Sequence, residues 1–440
     1  MSKAYRWYVV GVLTFAYLVS FLDRQILALL IGPIKADFDL SDTQISLLIG
    51  LAFGIFYVVM GIPLGRLADR ANRKKIIMAG ASAWTAMTAA CGLAGNFMQL
   101  FAARIGVGVG EAALTPSALS IISDIFPRKE RSRAIATYNL GISLGTGLAM
   151  VVGGLVIGYV MSAPPAVLPI FGTLKSWQYV FLLVALPGVL VVLLMLTVRE
   201  PDRRESLANQ GRAIPLRDAV RYLMQRGSLY VPLFLGMSVT TIVGYAYFTW
   251  IPEMLVRQHG WDRMDVGIGY GIVVLTFGPL GALGGGWLTD HWFAKGVRDA
   301  PIRSALLGTA ISLPGLILVP LMPSGEWALA MIATASIGPA TVTVAGTTAI
   351  VMVTPNQLRA QTVALYLFTI SILGLTIGPT AVALVTDRIF YDEAMLHWSI
   401  AIVAIASSLI SLVLLWLVRG PYRAASQESD EWSGSDTEAA

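Results

Sequence analysis

Four charged residues stand inside long apolar runs of this 440-residue chain: Asp23 and Arg24 in the first run, Arg104 and Glu111 in the fourth. An ionisable side chain near the centre of a bilayer costs about 2.5–3.5 kcal/mol on insertion scales, so such residues mark function by default. Arg104 and Glu111 are seven residues apart, two helical turns, and share one helix face. At 1.5 Å per residue, Asp23 and Arg24 lie about 24–26 Å along a helix from Trp7, slightly past a midplane. Helices running in opposite directions can bring all four groups to similar depth in one polar cavity. Two acids and two bases balance, and two chemistries fit that balance. In one, the set is a buried ion-pair network that locks the first helix to the fourth. In the other, Asp23 and Glu111 carry protons, because burial favours the neutral acid and a nearby arginine the charged one. Arg24 or Arg104, released by protonation of its partner, can then grip an anion in fork geometry.

The second half of the chain offers no such charges at helix centres. It carries Thr240, Thr241, Tyr245, Tyr247, Trp250, Thr343, Thr347 and Tyr366. These residues serve either ordinary helix packing or a neutral, aromatic cavity wall suited to an acyl chain. Gly141-Ile-Ser143-Leu-Gly145 matches the Gly-x-Ser-x-Gly nucleophile elbow, but that motif needs a strand–turn–helix setting with histidine and acid partners. Here it falls inside an apolar run, so no enzyme is expected. Cys91 is the single cysteine, and His259, His291 and His397 are dispersed near helix ends. Neither a disulfide framework nor a metal-ligand spacing is present, and no cofactor is expected.

The elements that position these residues follow from composition. Hydrophobic residues make up 56% of the chain and charged ones 13%, against roughly 25% charged in soluble domains, so lipid must solvate most of it. A spanning helix needs about 20 apolar residues. Twelve runs qualify: 7–33, 44–66, 75–95, 97–121, 133–161, 177–198, 228–256, 265–289, 302–322, 326–352, 360–386 and 396–418. The first is too long, and too interrupted by charge, for a cleavable signal. With a cytoplasmic N-terminus, 24 of the 31 basic residues fall on the cytoplasmic side, as the positive-inside rule requires. Both chain ends are then cytoplasmic. The net charge of +5 reads as topology and not as a nucleic-acid footprint.

The chain repeats itself at half its length. Gly65-Arg-Leu-Ala-Asp69 recurs as Gly286-Trp-Leu-Thr-Asp290, and Pro127, Arg131 and Tyr138 recur as Pro355, Arg359 and Tyr366. The expected architecture is all-α, with two pseudo-symmetric six-helix bundles at 1–198 and 228–422. A polar loop at 199–227 joins them, with an amphipathic helix from Pro215 to Arg226, and an acidic, disordered tail follows at 423–440.

These residues resemble the major facilitator superfamily, whose loop after the second helix is matched by Gly65-Arg-Leu-Ala-Asp69-Arg70-Ala-Asn72-Arg73-Lys74. Asn72 stands where that family has a second glycine, and asparagine tolerates the same left-handed backbone. Within the superfamily the chain is most similar to spinster-like transporters. Three blocks carry this likeness: Phe21-Leu-Asp23-Arg24-Gln25; Ala103-Arg104-Ile-Gly106-Val-Gly108-Val-Gly110-Glu111-Ala112; and Asp124-Ile-Phe-Pro127 with Arg131. The resemblance implies a secondary transporter of the inner membrane, acting as a monomer, that couples protons to an amphiphilic lipid anion such as a lysophospholipid. Asp23 and Glu111 would couple protons, and Arg24, Arg104, Tyr245, Tyr247, Trp250 and Tyr366 would hold substrate. Gly65, Asp69, Arg70, Arg73, Arg131, Asp290 and Arg359 would form the conformational switch, with Arg70 and Arg73 pairing with Asp69 or a neighbouring helix end. The alternatives are a small organic anion symporter, a drug–proton antiporter, or a sensor on the same fold. The antiporter pattern Gly-Pro-x-x-Gly-Gly is met only by Ala149-Met150-Val-Val-Gly153-Gly154, without its proline.

Overall fold

The structure, a computed structural model, describes residues 1–164, 167–168, 172–203 and 215–438. Residues 204–214 of the expected joining loop lie outside the described residues. The long helices are α1 (Lys3–Leu29), α2 (Ile31–Phe38), α3 (Asp42–Ala68), α4 (Arg73–Gly92), α5 (Phe97–Ile125), α6 (Arg128–Ser162) and α7 (Ser176–Thr197). After them come α8 (Leu216–Gln225), α9 (Gly227–His259), α10 (Arg263–Ala294), α11 (Ala300–Leu318), α12 (Gly325–Val353), α13 (Gln357–Phe390) and α14 (Leu396–Glu438). The strands β1 (Val167–Leu168) and β2 (Gly172–Thr173) pair antiparallel, with Val167 opposite Thr173.

Among the described residues, eleven helices are long and apolar enough to cross a membrane. The remaining expected span is α4, a 20-residue helix rich in Ala, Gly and Thr that opens on Arg73, Lys74 and Lys75. It packs against α5 and α7, and its exposed face is made of small residues, Ala79, Ser82, Ala83 and Ala86. The amphipathic α8 forms as expected. Ala219 and Leu223 are buried, while Leu216, Val220 and Met224 make an exposed apolar stripe one turn apart.

The chain forms two compact units. The first is Met1–Gly211 with Thr249–Leu275 and Thr386–Ala394; the second is Arg212–Phe248, Thr276–Val385 and Met395–Ala440. In the first unit α1 lies along α6, and the repeated Tyr138 is fully buried, stacked on Tyr17 of α1 at 4.7 Å. In the second, the repeated Tyr366 is fully buried in the core among Tyr230, Met237 and Tyr422, with its ring 5.5 Å from Phe234 of α9. Each repeat tyrosine therefore wedges against the first helix of its own half. Tyr366 was expected to line a cavity; here it is core.

At the far end of the first unit from Arg73, six charges meet. Asp42 is fully buried and takes Lys35 at 2.5 Å and both Nη atoms of Arg257 at 2.8 and 2.9 Å. Glu253 pairs with Arg257 at 2.9 Å and with Arg263 at 3.0 Å, and Glu393 reaches Lys35 at 2.7 Å. Beside them Asp387 accepts from the backbone and hydroxyl of Thr43 at 2.7 and 2.6 Å. Three acids against three bases leave no surplus charge.

The second unit holds another cluster at the start of α11. Asp299, 1% exposed, accepts from Arg303 at 3.1 Å, Arg419 at 2.8 Å and Arg423 at 2.9 Å. These bonds, with the paired bonds from Arg226 to Glu428 at 2.7 and 2.6 Å, carry α14 on as helix where a disordered tail from 423 was expected. Burial pushes the Asp299 carboxyl up, but hydrogen bonds from Arg423 and Arg419 and the charge of Arg303 outweigh it and hold the group below the usual carboxylate range. A carboxyl held lower in the folded chain than in the unfolded one stabilises fully above its unfolded value. That stabilisation is lost as pH falls through the folded value. Asp299→Asn should therefore cost on the order of 2 kcal/mol at neutral pH and flatten the acid side of the stability profile, as measured by thermal unfolding across pH in detergent.

Candidate functional site

The structure brings Asp23, Arg24, Arg104 and Glu111 together inside the first unit. Glycines on α5 make this possible. A Cβ built on Gly108 would sit 2.6 Å from the Phe53 carbonyl of α3, and one on Gly110 would sit 2.7 Å from the Trp84 nitrogen of α4. Any side chain at either position would push α5 off its neighbours and pull Arg104 and Glu111 away from α1. In α3 a π-turn at Leu47–Leu51 moves the Ala52 N–H to the Leu47 carbonyl, and the adjacent Leu48 carbonyl accepts from Arg104 Nε at 3.5 Å. Such turns recur at functional positions in helices. Nothing in the residue pattern of 47–51 announces one.

Arg24 donates its Nε to Glu111 Oε2 at 2.6 Å. Its guanidinium is walled by the rings of Phe21, Phe53 and Tyr57, whose centroids lie 4.9, 4.9 and 4.4 Å away. Arg104, 1% exposed, stands 5.3 Å from the same Phe53 ring and gives Nη1 to the Asp23 backbone carbonyl at 3.2 Å. It makes no ion pair among the described residues. Asp23 is fully buried, and neither carboxylate oxygen has a hydrogen-bond partner. The Thr88 hydroxyl lies beside the carboxyl but makes no hydrogen bond to it. Cys91, also buried, follows Thr88 by one turn of α4. The site therefore pairs one acid with one base and leaves the other acid and base without ionic partners. Aromatic walls in a desolvated setting hold a guanidinium by about 2 kcal/mol. The aromatic lining from α3 had no signal in the sequence beyond Phe53 and Tyr57 lying one turn apart.

The other expected site residues are placed as follows. Tyr247 and Trp250 of α9 are buried, and Tyr245 is half-buried with its ring against Gly374. Arg73 is fully buried. It binds Asp124 and Glu200 (the latter at 2.8 Å), the Ser120 hydroxyl at 3.0 Å and the Pro201 carbonyl at 2.8 Å. Glu200 also accepts from the Lys74 N–H at 2.8 Å, so it caps α4 at the helix end where negative charge is favoured. The side chains of Asp69 and Arg73 are not brought together; Asp69 and Arg70 are exposed, and Arg203 caps the end of α3 by donating to the carbonyls of Ala68, Asp69 and Ala71. A Cβ built on Gly65 would sit 3.8 Å from Pro116, Arg131 donates to the Ser123 carbonyl at 2.8 Å, Arg359 donates to the Thr354 carbonyl at 3.3 Å, and Asp290 is exposed. Asn72 is not left-handed: its φ is −69°, and its side chain caps α4 by accepting the Lys75 N–H at 2.9 Å. An N-cap thus explains asparagine where the related pattern has glycine. Gly141 to Gly145 lie within α6, far from any strand; the Ser143 side chain lies outside the described residues.

Helices of membrane-crossing length around a buried group of charged side chains fit a polytopic membrane transporter. The sequence pattern of the Major Facilitator Superfamily matches residues 13–379, and the chain belongs to that family. It is thus a multi-pass secondary transporter and not an enzyme. It is 27% identical over 420 residues to an MFS-type efflux pump of Mycolicibacterium smegmatis, covering 95% of this chain and 93% of that one. It is also 27% identical to the probable L-galactonate transporter of Escherichia coli K12, over 66% of this chain and 63% of that one. Among solved structures it is similar to a bacterial homolog of the human lysosomal transporter Spinster, crystallised inward-facing and unoccupied, with a TM-score of 0.77 and 28% identity. That match covers 97% of this chain and 98% of that one.

The ion pair carries a direct test. Glu111→Gln leaves the Arg24 charge buried without its counterion and should destabilise the fold by about 3–5 kcal/mol. Adding Arg24→Met should recover much of that loss. Equal unfolding temperatures for wild type and Glu111→Gln would show that the pair contributes nothing to stability.

Proposed function

We propose that the chain is a proton-coupled transporter that works by alternating access and moves an amphiphilic anion. One observation carries this reading: Asp23 is a fully buried carboxyl without a hydrogen bond, beside an Arg104 that reaches only backbone carbonyls. A buried carboxylate with no partner costs too much to keep charged, so Asp23 is the group suited to take up a proton. Glu111 is its relay: protonation there frees Arg24. An Arg104 without a counterion is a vacancy for a phosphate or carboxylate, which would complete its fork. Tyr245 of α9, half-buried, is the aromatic residue proposed to meet a tail, while Tyr247 and Trp250 are buried. The proposed topology has both termini cytoplasmic in the inner membrane, supported by the excess of positive charge at the loop ends on that side, with a monomer as the transporting unit.

In the switch, Arg73 is the member that holds helix ends together, through Asp124 and Glu200. Gly65, Asp69, Arg70 and Arg131 complete that loop, and Asp290 and Arg359 are their counterparts in the second half. A second reading, symport of a compact organic anion such as a sugar acid, is favoured by the likeness to the L-galactonate transporter. A third, drug–proton antiport, is favoured by the likeness to the efflux pump.

Asp23→Asn should remove pH-gradient-driven transport in proteoliposomes by on the order of 100-fold, the scale of losing a positioned proton-transfer group, while leaving the unfolding temperature near that of wild type. Normal gradient-driven rates in that variant would make the charges structural. A series of anionic single-chain lipids should bind more tightly by up to about 0.8 kcal/mol per buried CH₂ until the cavity fills, and Arg104→Gln should weaken anionic ligands far more than neutral ones of equal length. Affinity flat with chain length, or tight binding of a compact sugar acid, would favour the organic-anion reading.

A further inference from the structure

The two halves of the chain build corresponding charge clusters of opposite sign. In the first unit a base at the start of α4, Arg73, is held by acids at the ends of α5 and α7, Asp124 and just past it Glu200. In the second unit the corresponding helix start, on α11, carries an acid, Asp299. It is held by Arg303 of the same helix and by Arg419 and Arg423 where α14 leaves its apolar stretch. One carboxylate faces three guanidiniums, so two positive charges are not offset within the cluster. Each of these guanidiniums gives Asp299 a single hydrogen bond, and no other side-chain hydrogen bond from them is present among the described residues. Most of their N–H donors are unused.

The surplus sits at an interface. Along α14, Val413, Trp416 and Leu417 are exposed immediately before Arg419; on α11, which packs against it, Leu307 is exposed one turn beyond Arg303. Apolar surface ending in a tryptophan and then in arginine is the pattern of a helix emerging from hydrocarbon into headgroups. Arg423 and Arg303 keep 46% and 38% of their side chains exposed, so they can reach a ligand from the lipid side.

We propose that Arg303, Arg419 and Arg423 form a binding site for the phosphate of an anionic membrane phospholipid, with its acyl chains against Trp416, Leu417 and Leu307. Asp299 preorganises the three guanidiniums and cannot neutralise them. The lipid phosphate would offset part of that positive surplus, whereas in the first half Asp124 and Glu200 outnumber the one base, Arg73, that they hold. The site is separate from the charges of Asp23, Arg24, Arg104 and Glu111.

The test is native mass spectrometry of the full chain in detergent, titrated with phosphatidylglycerol and, in parallel, with phosphatidylcholine of the same chains. Wild type should retain phosphatidylglycerol in preference. Arg303→Gln with Arg423→Gln should weaken that binding roughly 10- to 30-fold, as expected for two surface arginines on an anionic headgroup. The exposed pair Arg66 and Lys75, changed to Gln in the same way, should leave it unaltered. If the Gln variant does not fold, Arg303→Lys with Arg423→Lys keeps the charge and should keep the preference. Undiminished binding in the Gln variant, an equal loss in the Arg66 and Lys75 control, or loss of preference in the Lys variant would each overturn the proposal. So would displacement of phosphatidylglycerol by excess inorganic phosphate, which would assign the site to a soluble anion.

Discussion

The structure turns on what a guanidinium costs at membrane depth. Arg24 has one carboxylate oxygen and three aromatic rings; Arg104 has two backbone carbonyls and a share of one of those rings. Neither arrangement forms unless α1, α3, α4 and α5 approach to backbone contact. The glycines of α5, the π-turn of α3 and Gly80 of α4 against Gly110 are therefore conditions for keeping charge inside the bilayer at all. The partial character of that satisfaction matters most. A fully paired set of four charges would be a rivet, whereas one pair with two groups left over is a site with two stable ways to be completed.

The same logic extends to the helix ends, with different balances. The six-charge cluster around Asp42 is neutral within itself, with Asp42 and Glu253 buried and Glu393 exposed, and it ties α2, α3, α9 and the start of α10 together within the first unit. Around Arg73, acid exceeds base among the direct partners, and around Asp299 base exceeds acid. Glu200 after α7 holds Arg73 of α4, and Arg419 of α14 holds Asp299 before α11, with the signs reversed.

Much of this was legible in the sequence because it is local or periodic. Apolar runs of about 20 residues, the charges inside them, and repeats at fixed offsets read directly as spans, site and pseudo-symmetry. The pair of Arg24 with Glu111 was accessible because each lies where a charge should not be. The cluster around Asp42 was not: its partners are as far apart in sequence as Asp42 and Arg257, and each looks like an ordinary loop-end charge. Tyr366 was misread because an aromatic residue in an apolar helix carries the same pattern whether it lines a cavity or fills a core; its repeat partner Tyr138 held the answer. The tail from 423 looked disordered because its stabilising partners, Asp299 and Arg226, sit far upstream. Asn72 is a smaller case of the same kind, in which one residue type serves two backbone roles and only the dihedral angle tells them apart.

Cys91 gives the molecule a built-in thiol reporter. It is the only cysteine and is sealed from solvent, so maleimides placed on introduced cysteines elsewhere would meet a silent background without any engineered replacement. Its position one turn from Thr88, along the wall that faces Asp23, gives it a second use. Its sulfur lies within electrostatic reach of Arg104 and Asp23, so protection of Cys91 from a small thiol reagent would report that this wall stays closed to water.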